Sequence, residues 1–115
     1  MRGFVRKLMA AVAMAIAIGC ASPTLPLPPP SIPSLSRTDS SHVVLSSVQG
    51  VEANAIVVIY NRDPNVSLQE RVTGVQADAN GSWTQTVVAS VNDVIDITQE
   101  FGTTQSPPTT IQIQQ

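Results

Sequence analysis

Ala55-Ile56-Val57-Val58-Ile59-Tyr60 is apolar at every position. A run of this length, rich in β-branched residues and with no polar residue to mark a wet side, reads as a central strand with little solvent on either face. It is expected to be the least mobile element. On both sides of it, valine, isoleucine and threonine recur in short runs separated by glycine, asparagine, aspartate and proline, and beyond Ser41 no segment shows a capped 3.6-residue apolar period. The pattern predicts strands near 42–48, 55–61, 70–77, 82–89, 93–101 and 109–114. Strands at such spacing make an all-β fold, a small β-sandwich of about six to seven strands.

The runs that follow support this class. Ile95, Ile97 and Phe101 alternate with Asp96, Thr98 and Glu100, and Ile111 and Ile113 alternate with Thr110, Gln112 and Gln114, so each strand has one dry and one wet face. Asp78-Ala79-Asn80-Gly81 is expected to form a type I hairpin turn closing into a bulge, with the Asp78 side chain capping the turn and Gly81 free to take a positive φ. Trp83 then points into the core beside Val87, with Gln85 a polar defect between them. Pro107 and Pro108 lack amide donors and suit a sheet-to-sheet connection or an edge.

Gly50-Val51-Glu52-Ala53-Asn54-Ala55, Ala77 to Trp83, Asn92-Asp93-Val94-Ile95 and the turn from Gly102 to Pro107 together resemble bacterial immunoglobulin-like domains. The resemblance covers about residues 43–114, and Asn92 stands where that family usually has glycine. Related prealbumin-like and carboxypeptidase-regulatory sandwiches share the aspartate-to-glycine turn. The resemblance implies an immunoglobulin-like sandwich on a surface or cell-envelope protein.

The amino terminus has a different character. Arg2, Arg6 and Lys7 precede the uncharged apolar run Leu8 to Ile18, the layout of an export signal. As a helix this run would reach roughly 16 Å, about half of a ~30 Å hydrocarbon core, so it is too short for a spanning helix. Ala17-Ile18-Gly19-Cys20 resembles the lipobox of bacterial lipoproteins. The resemblance implies cleavage between Gly19 and Cys20, with diacylglycerol on the Cys20 thiol and an acyl chain on its new amino group. An ordinary secretory signal is the alternative. Ala21 is not the aspartate that retains such proteins in the inner membrane, which implies the outer membrane if the source has two. Three organisational units are expected: a signal helix at 1–19, a lipidated cysteine and tether at 20–41, and the sandwich at 42–115. Prolines at 23, 26, 28, 29, 30 and 33 favour polyproline II in the tether, a semi-rigid spacer reaching roughly 65 Å if extended at ~3.1 Å per residue.

Residues 20–115 carry three basic side chains, Arg37, Arg62 and Arg71, against eight acidic ones, a formal charge of −5. The arginines do not cluster, so there is no footprint for nucleic acid. Cys20 is the chain's one cysteine, which excludes an intrachain disulfide. His42 is the one histidine, at the start of a strand, and no serine lies in a nucleophile-elbow motif, so catalytic residues are not expected. One histidine cannot build a zinc site. Asp78 with Asn80, and Asp63 with Asn65, faintly resemble calcium loops but lack a suitably placed glutamate, so they read as turn chemistry. Tyr60, Trp83 and Phe101 are assigned to the core. The expected function is therefore non-enzymatic: a lipid-anchored envelope module giving structural spacing or contact with another envelope protein or surface polymer. No cofactor, metal or small-molecule substrate is implied. The alternative of a carbohydrate-binding module would require an exposed aromatic platform.

Overall fold

The computed structural model describes residues 26–114, which fold as a small all-β sandwich of two antiparallel sheets. The smaller sheet holds β1 (Ser34–Asp39), β2 (His42–Ser47) and β5 (Trp83–Val88), in that spatial order. The larger holds β4 (Val72–Gln76), β3 (Ile56–Asn61) and β6 (Val94–Phe101), with β7 (Thr104–Gln105) and β8 (Thr109–Gln112) both paired to β6. A single helical turn, α1 (Leu68–Arg71), leads directly into β4. Part of the strand expected from residue 70 is therefore helical. Arg71 causes this locally, since its guanidinium donates to the Val66 and Pro64 carbonyls and curls the chain before the ladder with β3 begins.

Alternation along the strands builds the core. Val43 and Leu45 of β2, Val57 and Ile59 of β3, Trp83 and Val87 of β5, and Ile95 and Ile97 of β6 meet between the sheets, with Ala77, Ala89 and Ile113. Strand β3 is central, flanked by β4 and β6. Its second face is not dry, because Ile56 is 40% and Tyr60 38% exposed: no third layer covers the outer side of the larger sheet among the described residues. Phe101, also assigned to the core from sequence, is 49% exposed. The register explains why. Gln99 takes the inward position that follows Ile97, and Phe101 lies where β6 has already run past the core into its turn with β7.

The turn at Asp78–Gly81 is not a hairpin. β4 pairs with β3 and β5 pairs with β2, so this turn carries the chain from one sheet to the other. Its local chemistry is that of a hairpin turn: Gly81 N–H donates to the Asp78 carbonyl at 3.0 Å and Gly81 has φ of 80°. What redirects the chain is the loop before β3, whose Gly50 and Val51 amides donate to the Gly81 carbonyl and whose Asn54 amide donates to the Asp78 carbonyl. Pro107 and Pro108 interrupt the edge of the larger sheet. Before them Ser106 and Gln99 exchange contacts in the β7 register, and after them β8 resumes on β6 one residue out of step.

The largest departure from expectation lies in the proline-rich segment. Ser34–Asp39 is a strand along β2 rather than spacer, and the residues before it are bound to the sandwich. Pro30 and Pro33 are buried, and the Ser31 amide donates to the Gly50 carbonyl at 3.0 Å. The sandwich therefore begins ahead of 42, and the segment from Pro28 to Pro33 straps its side between β1 and β8.

Candidate functional site

What the polar groups of the described residues do follows from the bonds they make. His42 opens β2 beside a tight turn formed by Asp39 and Ser41. Asp39 Oδ1 accepts the Ser41 amide at 2.8 Å and faces His42 Nδ1 at 3.0 Å, while Ser41 Oγ lies 3.1 Å from the same Nδ1. A hydrolytic relay needs the carboxylate on one ring nitrogen and the hydroxyl on the other. Here both compete for one. The Ser41 amide, and after it His42, holds the Asp39 carboxyl down at about 2. The cluster is a turn cap at the tip of the β1–β2 hairpin.

At the opposite end, Asp78 Oδ1 accepts the amides of Ser82 (3.0 Å) and Asn80 (2.8 Å), which lower its pKa in that order of effect. Its oxygen is thereby spent on main-chain donors. Asn80 is exposed, and Gly81 is enclosed, because a Cβ there would collide with the Val51 carbonyl oxygen. Trp83, which follows, is 4% exposed and sits between the sheets, with its indole N–H shielded and lacking a partner among the described residues.

Near the His42 end, Arg62, Asp63, Asn92, Asp93 and Val94 line an open depression of about 300 Å3. Buried Asn61 anchors it, donating from Nδ2 to the Val88 carbonyl at 2.9 Å and to Asp93 Oδ2 at 3.0 Å. Desolvation pushes the Asp93 carboxyl up, but the bonds it accepts from Asn61 and the Ser90 amide together outweigh this and leave it lowered. Asp63 caps the Asn65 amide at 2.9 Å. Arg62 forks onto Asp96 at 2.7 and 2.9 Å, and this pairing, assisted by the Thr110 hydroxyl, lowers the Asp96 pKa despite partial burial. Among the described residues no three of His, Cys, Asp and Glu come together as a metal cage would require.

Gln99 is the buried polar hub that sequence reading passed over. It is 1% exposed; its Oε1 accepts the Glu52 amide at 2.7 Å, and its Nε2 donates to the Pro28 carbonyl at 2.8 Å. Thr109 Oγ1 donates to the Pro30 carbonyl. A polyproline segment has free carbonyls and few amides, and Gln99 and Thr109 supply the donors it can use. The signal was present in the alternation, for Gln99 falls in phase with Ile95 and Ile97.

Among the described residues the two exposed aromatics, Tyr60 and Phe101, do not form one platform. Tyr60 lies across from Asp96, and Phe101 is five residues further along β6, roughly 17 Å away at ~3.4 Å per residue. Gly19 and Cys20, the expected cleavage and lipidation positions, lie outside the described residues, and among those described no helix is long and apolar enough to cross a membrane. Compared with known protein families, curated proteins and solved structures, the chain matches none.

Proposed function

We propose that this chain is a non-enzymatic, lipid-anchored envelope protein whose immunoglobulin-like sandwich serves structural spacing or protein contact. The observation that supports this reading best is that the polar side chains of the sandwich are spent inward or on turns. Asp39, Asp78 and Asp63 cap main-chain amides, Asp96 takes Arg62, and Gln99 and Asn61 hold loops and the strap. Groups used this way position backbone, and where carboxylate, imidazole and hydroxyl do meet, at Asp39, His42 and Ser41, the carboxylate and the hydroxyl share one ring nitrogen, which is not a relay. The order along the chain supports the anchor: cationic start, short apolar run, Ala17 to Cys20, then prolines. Two or three acyl chains at Cys20 would hold the protein stably on a bilayer, where one would not.

The strap changes what such an anchor would do. With Pro28 bound to Gln99, a leash from Cys20 to Leu27 would span at most about 25 Å at ~3.1 Å per residue, instead of ~65 Å. The domain is then held near the bilayer. The test is labelling with a fatty-acid analogue in cells making the parent chain or Cys20→Ser. Label and membrane fractionation on the parent alone agree with the proposal, and label retained by Cys20→Ser overturns it.

A further inference from the structure

We propose that the free edge of β5 is a self-association surface, on which two copies pair β5 against β5, antiparallel, about a two-fold axis at Gln85. The phase of the strand is fixed by its neighbours. Ala89 N–H donates to the Ser41 carbonyl, in register with the pairs Val87↔Val43 and Gln85↔Leu45, so the odd-numbered residues bond to β2. The even-numbered ones turn their amides and carbonyls away from the sheet. Val88 agrees, since its carbonyl is reached from outside the sheet by Asn61 Nδ2.

Thr84 and Thr86 are thus left with main-chain groups at an open edge, the Thr86 carbonyl meeting only its neighbour's Gln85 amide. Strand β5 pairs with β2 alone, and it contains no charge, proline or glycine. Charge and proline are among the devices that blunt exposed edges, as is cover by a helix, and α1 comes close to β5 without pairing with it. The other edge of the same sheet has such devices: β1 carries Arg37 and a register break between Arg37 and Asp39. In the larger sheet β8 follows Pro107 and Pro108 and holds the strap, while β4 has Gly74 at its centre and is entered straight from α1. The side next to β5 is also left incomplete, with a cleft of about 460 Å3 between β5 and β4 bordered by Trp83, whose indole N–H is unpartnered among the described residues.

The occupant that fits is a second β5. About a two-fold axis at Gln85, Thr84 of each copy faces Thr86 of the other, outward groups meet outward groups, and about four main-chain hydrogen bonds form. The exposed threonines make cross-strand pairs of a favourable type. With no charge in the strand there is no like-charge repulsion across the axis. The ladder stops there because the Ser82 amide is held by Asp78 and the Val88 carbonyl by Asn61. Gln85, a defect in an apolar face when read alone, becomes the residue that meets its own copy.

Residue 85 would face itself as a non-hydrogen-bonded pair, with Cα atoms about 4.5 Å apart, within the range a disulfide spans. The experiment is oxidant crosslinking of the full chain in intact cells, comparing Gln85→Cys with Ser36→Cys on the β1 edge and with the parent, which share the background of Cys20. The expected result is a covalent dimer at least tenfold above both controls for Gln85→Cys. Adding Thr84→Lys and Thr86→Lys, two exposed positions, should return it to background while tryptophan emission stays native. Equal yields from Gln85→Cys and Ser36→Cys, or a dimer indifferent to the lysines, would overturn the proposal. The parent and Ser36→Cys lanes keep this outcome independent of lipidation.

Discussion

Replacing Gln99 by glutamate tests the strap with almost no change of shape. The isostere keeps an oxygen for the Glu52 amide and replaces the Nε2 donor with a carboxylate oxygen facing the Pro28 carbonyl at 2.8 Å. The carbonyl loses its partner, worth ~1–3 kcal/mol, and an ionised group is placed at a shielded site, which costs more than a neutral one. A total near 3 kcal/mol is expected at pH 8, a large part of the stability of a domain this size. At ~4–8 °C per kcal/mol the melting temperature should fall by about 15 °C. Burial and the facing carbonyl raise the pKa of the new carboxyl above its unfolded value, so the native state takes up a proton as pH falls. The deficit should therefore shrink between pH 8 and pH 5, because the protonated acid regains a donor for the Pro28 carbonyl, and each tenfold gain in proton affinity on folding returns ~1.4 kcal/mol. Thermal melts of parent, Gln99→Glu and Gln99→Met across that range decide the matter. Gln99→Met, which cannot titrate, should show no recovery. A Gln99→Glu deficit that is small, or as independent of pH as that of Gln99→Met, would refute the assignment of Gln99 as the donor that holds the strap.

Four further outcomes are expected of the same structure. Trp83→Ala should cost ~3–5 kcal/mol and leave the domain largely unfolded, while native emission should be blue-shifted and resist aqueous quenchers; red-shifted, quenchable emission would contradict its burial. Gly81→Ala, forced into positive φ and against the Val51 carbonyl, should lower the melting temperature by more than ~10 °C, on the order of 2 kcal/mol. A fragment starting at His42 lacks β1 and the strap and should give a broad, poorly cooperative melt, where one starting at Pro26 melts sharply. Asp39, Asp78, Asp93 and Asp96 all have lowered pKa values in the fold; their contribution is complete above their ordinary range and is lost as pH falls through the folded values, so acid titration should show stability declining below about pH 4 toward pH 2, with Asp78→Asn shallower than the parent.

Period-two alternation made β2, β3, β5 and β6 legible because each buries one side against the other sheet, and a one-residue slip would put the polar set inside. What alternation cannot do is say which sheet a strand joins. Asp78 to Gly81 has the same bonds whether the chain folds back on itself or crosses to the facing sheet; the choice is made by Gly50, Val51 and Asn54, far away in sequence, which seize its carbonyls. The uniform apolarity of Ala55 to Tyr60 reported a central strand correctly and a second dry face wrongly. Ile56 and Tyr60 satisfy β propensity on an outer surface as well as they would inside.

The strap was hidden for a more general reason. Proline-rich sequence announces what it cannot do, which is to donate along a ladder, and that is equally true of a free spacer and of a segment bound through its carbonyls. The information that separates the two lies in the receiver. A glutamine in the inward register of a strand must find partners or cost several kcal/mol, so Gln99 in phase with Ile95 and Ile97 already demands a main-chain donor and an acceptor from elsewhere. The Glu52 amide supplies one and the Pro28 carbonyl the other. Read from the buried side chain outward, the polar defect in β6 and the proline run belong to one device, which closes the β1 side of the sandwich and leaves the β5 edge without a second strand partner.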